Sequence, residues 1–264
     1  MYIWRYGYDA FWAICQGCLL VKVTVNNVTF VLPPFGGINE ELPKIIEALR
    51  ENFQGNPFEI HGIYDSTLER LKKFAPEIVA DYTLDRNNCD YVYLREDLAN
   101  LAGRKFHGPK NHVNRFIKDH PDYTYEAITS ANIEECLAYG RKWCVERANT
   151  DESIMFEDEA IEEAFKSYEA LQLRGGLIRY DGKVQAFSFG EKMVNSDMAV
   201  IHVEKADPQV NGLFNIINRD FVRNAWPDVK YINREEDMGK PGLRRAKESL
   251  CPAFLVNKYN IIVK

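Results

Sequence analysis

The feature that most constrains the fold is Asp181-Gly182, set between residues 176–180 and 183–189, two runs rich in aromatic and aliphatic strand formers. An Asp-Gly pair between such runs specifies a two-residue turn with positive φ at both positions, whose twist suits the flanking strands. Strands joined this way are antiparallel, because a parallel pair needs a crossover of a dozen residues or more. A doubly wound parallel sheet is thereby excluded for this region. Residues 198–205 continue the pattern as a third adjacent strand. Around them the spacing predicts a strand at 123–128, a helix carrying Ile133, Cys136, Leu137, Gly140, Trp143 and Cys144 with Ser130 as its cap, and a helix from Phe156 to Tyr168. An amphipathic helix over 210–226, a strand at 231–233 and a short basic helix over 241–250 follow. The expected class is therefore mixed α/β (α+β).

The first half alternates in the same manner. Residues 18–25 and 28–32 read as a hairpin turning at Asn26-Asn27. Leu42, Ile45, Ile46 and Leu49 mark a helix, residues 58–64 a strand, Ser66 to Glu69 a capping box that opens a helix ending before Pro76, and residues 91–94 a strand. The opening residues, Met1 to Tyr6, read like the middle of a domain, so the first half is expected to be truncated at its start.

Twelve per cent aromatic residues argue for a packed core. No apolar run approaches the roughly 20 residues needed to span a bilayer, and nothing resembles a signal peptide. Six cysteines without a secretory signal suit a reducing, cytoplasmic setting. Cys15 and Cys18 have the spacing of half a zinc site, but no second pair follows, and they read as buried thiols; no metal site is expected. The net charge of −6 is not that of a generic nucleic-acid binder. Its distribution is uneven: Arg104, Lys105, Lys110, Arg115 and Lys118, with Asn111, His107 and His112, form a basic island that predicts either an anionic ligand such as a phosphate or a solvated helix face.

Three constellations carry chemistry. At the strand-to-helix junction around Asn211 and Gly212, free N–H groups would hold a phosphate or an acyl carbonyl, with glycine admitting the ligand; the alternative is a plain cap and a packing glycine. His202 and Glu204 fall on one face of a strand by period-two alternation, with Ala199, Ile201 and Val203 on the other, as a general base or a structural pair. The run Asn233, Arg234, Glu235, Glu236, Asp237, then Gly242, Arg244, Arg245 and Lys247, joins a strand to a basic helix through consecutive acids, as a site or as an ion-pair network.

The runs REDLANLAGRKFHGPKNHVNRFIKDHPDYTYEAIT, VIHVEKADPQVNGLFNIINRDF and YINREEDMGKPGLRRAKESLCPAF resemble the family named after the C-terminal domain of phosphatidylglycerol lysyltransferase, whose free-standing members are of unknown function. The resemblance covers essentially the whole chain. It implies two tandem acetyltransferase-like (GNAT) domains with mixed, largely antiparallel sheets, related to Fem-type aminoacyltransferases. Residues 1–104 would be a scaffold domain, 105–122 a basic linking helix and 123–264 the site-bearing domain. The implied activity is acyl or aminoacyl transfer from a phosphate-containing donor, aminoacyl-tRNA or acyl-CoA, to an amine or hydroxyl. His202, Glu204, Glu235 and Glu236 are the available bases. Lys105, Lys110, Asn111, Arg115, Asn211, Gly212, Asn233, Arg234, Gly242, Arg245 and Lys247 are the expected substrate-binding residues, and tRNA is a prospective partner. A lipid acceptor would be met by peripheral membrane contact. A monomer is the default. The competing reading is a non-catalytic module for an anionic small molecule or an RNA end on the same fold, and a third is an interaction protein using Trp4, Trp12 and the N-terminal tyrosines.

Overall fold

The computed structural model describes residues 9–25, 27–148 and 157–264. The expectations for Met1 to Tyr6, Asn26 and Phe156 fall outside them. In chain order the elements are β1 (Asp9–Cys15), β2 (Cys18–Val25), β3 (Val28–Val31), β4 (Phe35–Gly36), α1 (Leu42–Asn52), β5 (Phe58–Tyr64), α2 (Asp65–Phe74), β6 (Tyr82–Leu84), β7 (Asp90–Leu94) and α3 (Arg95–Asn100). Then come α4 (His107–Asp119), β8 (Thr124–Ala127), α5 (Ile133–Ala148), α6 (Glu157–Lys166), β9 (Arg174–Tyr180), β10 (Lys183–Lys192), β11 (Met198–Ala206), α7 (Leu213–Ala225), β12 (Tyr231–Asn233), α8 (Pro241–Ser249), β13 (Phe254–Val256) and β14 (Lys258–Val263).

Two compact units emerge, one of residues up to 90 together with 256–264, the other of residues 91–255. These limits differ from the expected 104 and 123. The reason is β7: Tyr91, Val92 and Tyr93 are fully buried in the core of the second unit, and the strand hydrogen-bonds to β12. Residues 105–122 also lie inside the second unit, since α4 buries Pro109, Val113 and Phe116. The last strand, β14, pairs with β5 and β6 and so belongs to the first unit.

The first unit is built on a sheet of order β1-β2-β3-β5-β14-β6, antiparallel except for the β3/β5 pair. Its core gathers Leu42, Ile45, Ile46 and Leu49 from α1 with Leu68 and Leu71 from α2, the spacing expected of amphipathic helices. The capping box does not form. The α2 helix starts at Asp65, one residue earlier, and Ser66 lies within it. The Asp65 carboxylate instead accepts from the Tyr259 hydroxyl at 2.9 Å.

The second sheet runs β13-β7-β12-β11-β10-β9-β8. Asp181 and Gly182 take the predicted positive φ, +53° and +68°, and close the β9–β10 hairpin. All neighbours from β8 to β11 are antiparallel, while β11 and β12, joined by a helical crossover, are parallel. One face is covered by α7 and α4, the other by α5 and α6. The α7 helix buries Leu213, Ile216, Ile217, Phe221 and Val222, each contributing about 1.5–3 kcal/mol.

Candidate active site

The junction after β11 is shaped by side chain-to-backbone hydrogen bonds. Asp207 Oδ1 accepts from the Gln209 N–H at 3.0 Å, and the Val210 N–H reaches the Asp207 carbonyl at 3.1 Å. The helix starts at Leu213, three residues later than the expected 210, with Gly212 at φ +84°. A Cβ on Gly212 would lie 2.2 Å from the His112 carbonyl oxygen and 3.0 Å from Phe116 Cβ. Glycine is required here by the close approach of α4, not by a ligand. Asn211 does not cap α7 with its side chain; its Oδ1 and His112 Nδ1 form a hydrogen bond of 2.7 Å. Beside this contact lies a groove of about 410 Å³, lined by His112, Pro208, Gln209, Asn211, Phe214 and Asn215 among others.

The outer face of α4 carries the basic island. Lys105 is tied to Asp97 at 2.8 Å and Arg115 to Asp119 at 3.4 Å. Lys110 and Lys118 are exposed and make no ion pair among the described residues. Asn111 sits against His107, 3.3 Å away.

A β-bulge alters the expected face of His202. Phe189 pairs with Val203 but Gly190 pairs with Ile201, leaving His202 as the extra residue. Ala199 and Ile201 accordingly join the core under α7, whereas Val203 joins the core under α5 and α6. Glu204 points with Ile201 towards α7. Its Oε2 accepts from Asn218 Nδ2 at 3.3 Å and its Oε1 from Arg234 Nη2 at 2.6 Å. His202 is engaged elsewhere, with Nδ1 2.9 Å from Glu235 and Nε2 3.1 Å from Glu191. Burial alone would lower the His202 pKa, but the hydrogen bonds and charges of Glu235 and Glu191 outweigh it and raise the value. The expected His202–Glu204 pair is thus two separate clusters.

Past Val200 and Asn233, the last paired residues, β12 ends while β11 continues to Ala206. The Glu204–Arg234 pair occupies this parting. Asn233, itself buried, accepts from the Glu235 N–H at 2.7 Å and sets the turn. Glu235, Met238 and Gly239 adopt φ of +56°, +51° and +71°, so successive acids point in different directions. Asp237 is fully buried and takes hydrogen bonds from Tyr91 Oη, from Arg244 Nε and Nη2, and from the Gly239 N–H. The Arg244 guanidinium, then the Tyr91 hydroxyl, hold its carboxyl well below the usual range against the opposing effect of burial. Glu236 is half-buried on the same turn.

Lys247 turns inward. It is buried, and its ammonium donates to the carbonyls of Arg234 and Glu235. Burial, then the nearby Arg234 charge, push its pKa down to about 8. Gly242 and Arg245 are exposed at the start of α8, and nothing in the structure requires glycine at 242, where a Cβ would meet open space. The site thus joins His202, Glu235 and Asn233 on one side and Glu204 and Arg234 on the other, and sets Asn211 and Gly212 apart at the groove. Sequence reasoning missed Glu191, Asn218 and the hub role of Asp237. Glu191 has a sequence signal, two residues beyond the bulge on the strand paired with β11, but the bulge itself has none.

Among the described residues no group of His, Cys, Asp and Glu is placed to hold a metal ion, and no helix is long and apolar enough to cross a membrane. From β8 onward the second unit runs strand, two helices, three antiparallel strands, helix, parallel strand and helix, a mixed α/β order. The chain matches the family described as phosphatidylglycerol lysyltransferase, C-terminal, over residues 1–262, and it belongs to that family. A conserved protein of unknown function from Bacteroides thetaiotaomicron is 37% identical, with a TM-score of 0.88, over 99% of this chain and 88% of that one. The L-PGS structure from Bacillus licheniformis is 14% identical, with a TM-score of 0.62, over 98% of this chain and 84% of that one, and shares the fold. An uncharacterized protein of Mycoplasmoides gallisepticum is 23% identical over 203 residues, 74% of this chain but only 62% of that relative's length.

Proposed function

We propose that the chain is an acyl- or aminoacyltransferase, moving an acyl group from an activated phosphate-containing donor, aminoacyl-tRNA or acyl-CoA, to an amine or hydroxyl. The observation that carries this reading is the groove at the amino end of α7, lined on the α4 side by His112 of the helix that also bears the exposed Lys110 and Lys118, and lying at the end of the strand that bears His202. Four residues separate His202 from Ala206, about 13 Å along an extended strand. A donor phosphate held at the groove would therefore direct its acyl end along β11 towards His202, where Glu235 supports the imidazole. In transfer, Nε2 of neutral His202 releases Glu191, and the acceptor's amine or hydroxyl attacks the acyl carbonyl and gives its proton to that nitrogen. The bond to the donor's ribose oxygen or thiol sulfur breaks, and the leaving group takes that proton from the His202 imidazolium. Glu204 is held through both oxygens by Arg234 and Asn218.

A thermal-shift titration with acetyl-CoA, longer acyl-CoAs and aminoacyl-tRNA tests the proposal, since a ligand bound only by the native state raises the melting temperature. A saturable rise with one donor class is expected. No shift with any of them at millimolar CoA ester or micromolar tRNA counts against it. If His202→Ala binds the donor as wild type does and leaves turnover unchanged, the base assignment fails. Donor binding without any turnover would favour the anion-binding module.

A further inference from the structure

We propose that a second copy of this chain docks on β1, the two β1 strands pairing antiparallel across a two-fold axis to join the sheets of the two first units. Among the described residues the β1 strand ends its sheet, with β2 as its neighbour. An edge strand with open amide groups is a template for pairing, and proteins ordinarily blunt such edges with charges, prolines or bulges. From Ala10 to Cys15 there is no charge and no proline, and the β1–β2 register runs unbroken. Phe11, Trp12 and Ile14 are instead 65%, 72% and 64% exposed.

The hydrogen-bond parity of the hairpin fixes which register is open to a partner. Cys15 and Cys18 close the turn around Gln16-Gly17, whose φ values are +50° and +73°. In a two-residue hairpin the residues flanking the turn exchange hydrogen bonds, and bonded pairs then alternate along the ladder. The amides of Phe11, Ala13 and Cys15 therefore serve β2, while those of Ala10, Trp12 and Ile14 face outward. A two-fold axis at Trp12 brings outward amides together throughout. Trp12 opposes Trp12 of the second copy, and Ala10 opposes its Ile14.

Side chains match in the same register. Large meets small where Phe11 opposes Ala13 and Ile14 opposes Ala10, the two tryptophans meet at the axis, and Asp9 faces Cys15 rather than another acid. No like charges oppose one another, the arrangement that would destabilise a cross-strand pair. An isologous contact of this kind closes as a dimer and does not propagate. The area is of the right order. At the exposures above, Phe11 and Trp12 leave roughly 100 and 180 Å² uncovered, or about 560 Å² over two copies, for aromatic side chains of about 150–250 Å². Ile14, the alanines and both strand backbones add to this, towards the roughly 1,200–2,000 Å² that stable interfaces bury.

Sedimentation equilibrium of the full chain from micromolar to hundreds of micromolar provides the test, with wild type beside Trp12→Lys and Ala13→Lys. The expected wild-type mass is twice the 30.5 kDa chain. Both variants should be monomeric with unchanged melting temperature when dilute, since residues 12 and 13 touch solvent in the single copy. A wild type that stays at 30.5 kDa throughout overturns the proposal and leaves the edge to a different partner. Variants that still dimerise place the contact elsewhere, and higher oligomers refute the closed two-fold pairing.

Discussion

Replacing Asp237 by alanine removes the centre of the turn on which Glu235 depends. The carboxylate accepts at 2.6 Å from Tyr91, at 2.8 and 2.9 Å from Arg244 and at 2.8 Å from the Gly239 N–H. Tyr91 is fully buried, so loss of this acceptor for its hydroxyl costs about 1–3 kcal/mol. Breaking a wholly buried ion pair costs about 3–5 kcal/mol, but Arg244 keeps 32% of its side chain in contact with water, which recovers part of that loss. About 3 kcal/mol in all is expected. That corresponds to a fall in melting temperature of about 6–12 °C for a unit of this size. Asp237→Asn keeps an acceptor for Tyr91 and should cost about half as much, since a charged acceptor bonds roughly twice as strongly. Urea and thermal melts followed by circular dichroism supply the values. The native carboxyl titrates below the unfolded value, so its contribution is present above about pH 4 and is lost as pH falls through the native pKa. The wild type and the asparagine variant should therefore converge on acidification. A cost below 1 kcal/mol for Asp237→Ala would refute the view that this residue organises the turn.

Gly212→Ala should destabilise by about 2–4 kcal/mol, combining an unfavourable positive φ with a clash against the His112 carbonyl; a near-neutral result in thermal melts would contradict the close-approach reading. Glu235→Gln removes the first charge that raises His202, so the imidazole should titrate at lower pH by NMR, and the acid limb of any pH–rate profile should follow it down. The His202 pKa is raised in the native state, so its share of stability is present below about pH 6.5 and is lost as pH rises through the native value; melts of His202→Gln against wild type on both sides of neutrality check the sign. Lys247→Met, which keeps the stem but removes the buried ammonium, should cost about 1–3 kcal/mol by taking the donor from the Arg234 carbonyl, while the Glu235 carbonyl keeps the Tyr91 N–H, and an unchanged urea midpoint would rule out that anchoring role.

The elements were legible where short-range chemistry decides them. Asp181-Gly182 specified its turn, and the Leu42, Ile45, Ile46, Leu49 spacing specified a helix, because backbone preference and apolar period agree in both. The unit boundary was not legible, because β7 and β14 are strands whose partners lie far away in sequence and no local signal names a partner. The candidate site was half legible. His202 and Glu204 stand out as polar groups on an apolar strand, and Arg234 and Glu235 as charges just past another, but alternation placed His202 with Glu204, and a single bulged residue separated them. Gly212 was rightly singled out as special, while its reason, the His112 carbonyl, could only be seen once α4 was packed. Lys247 read as a substrate-binding cation because a buried lysine and an exposed one look alike in a basic helix.

Equilibrium binding of the donor that raises the melting temperature, compared between wild type and the Lys110→Glu, Lys118→Glu double variant at low and high salt, tests the central claim most directly. Both lysines are exposed on α4 and their replacement should leave stability within about 0.5 kcal/mol. The account predicts at least a tenfold loss of affinity at low ionic strength, shrinking as salt screens the charges. Equal affinities for the two proteins would contradict a donor held at the groove beside α4.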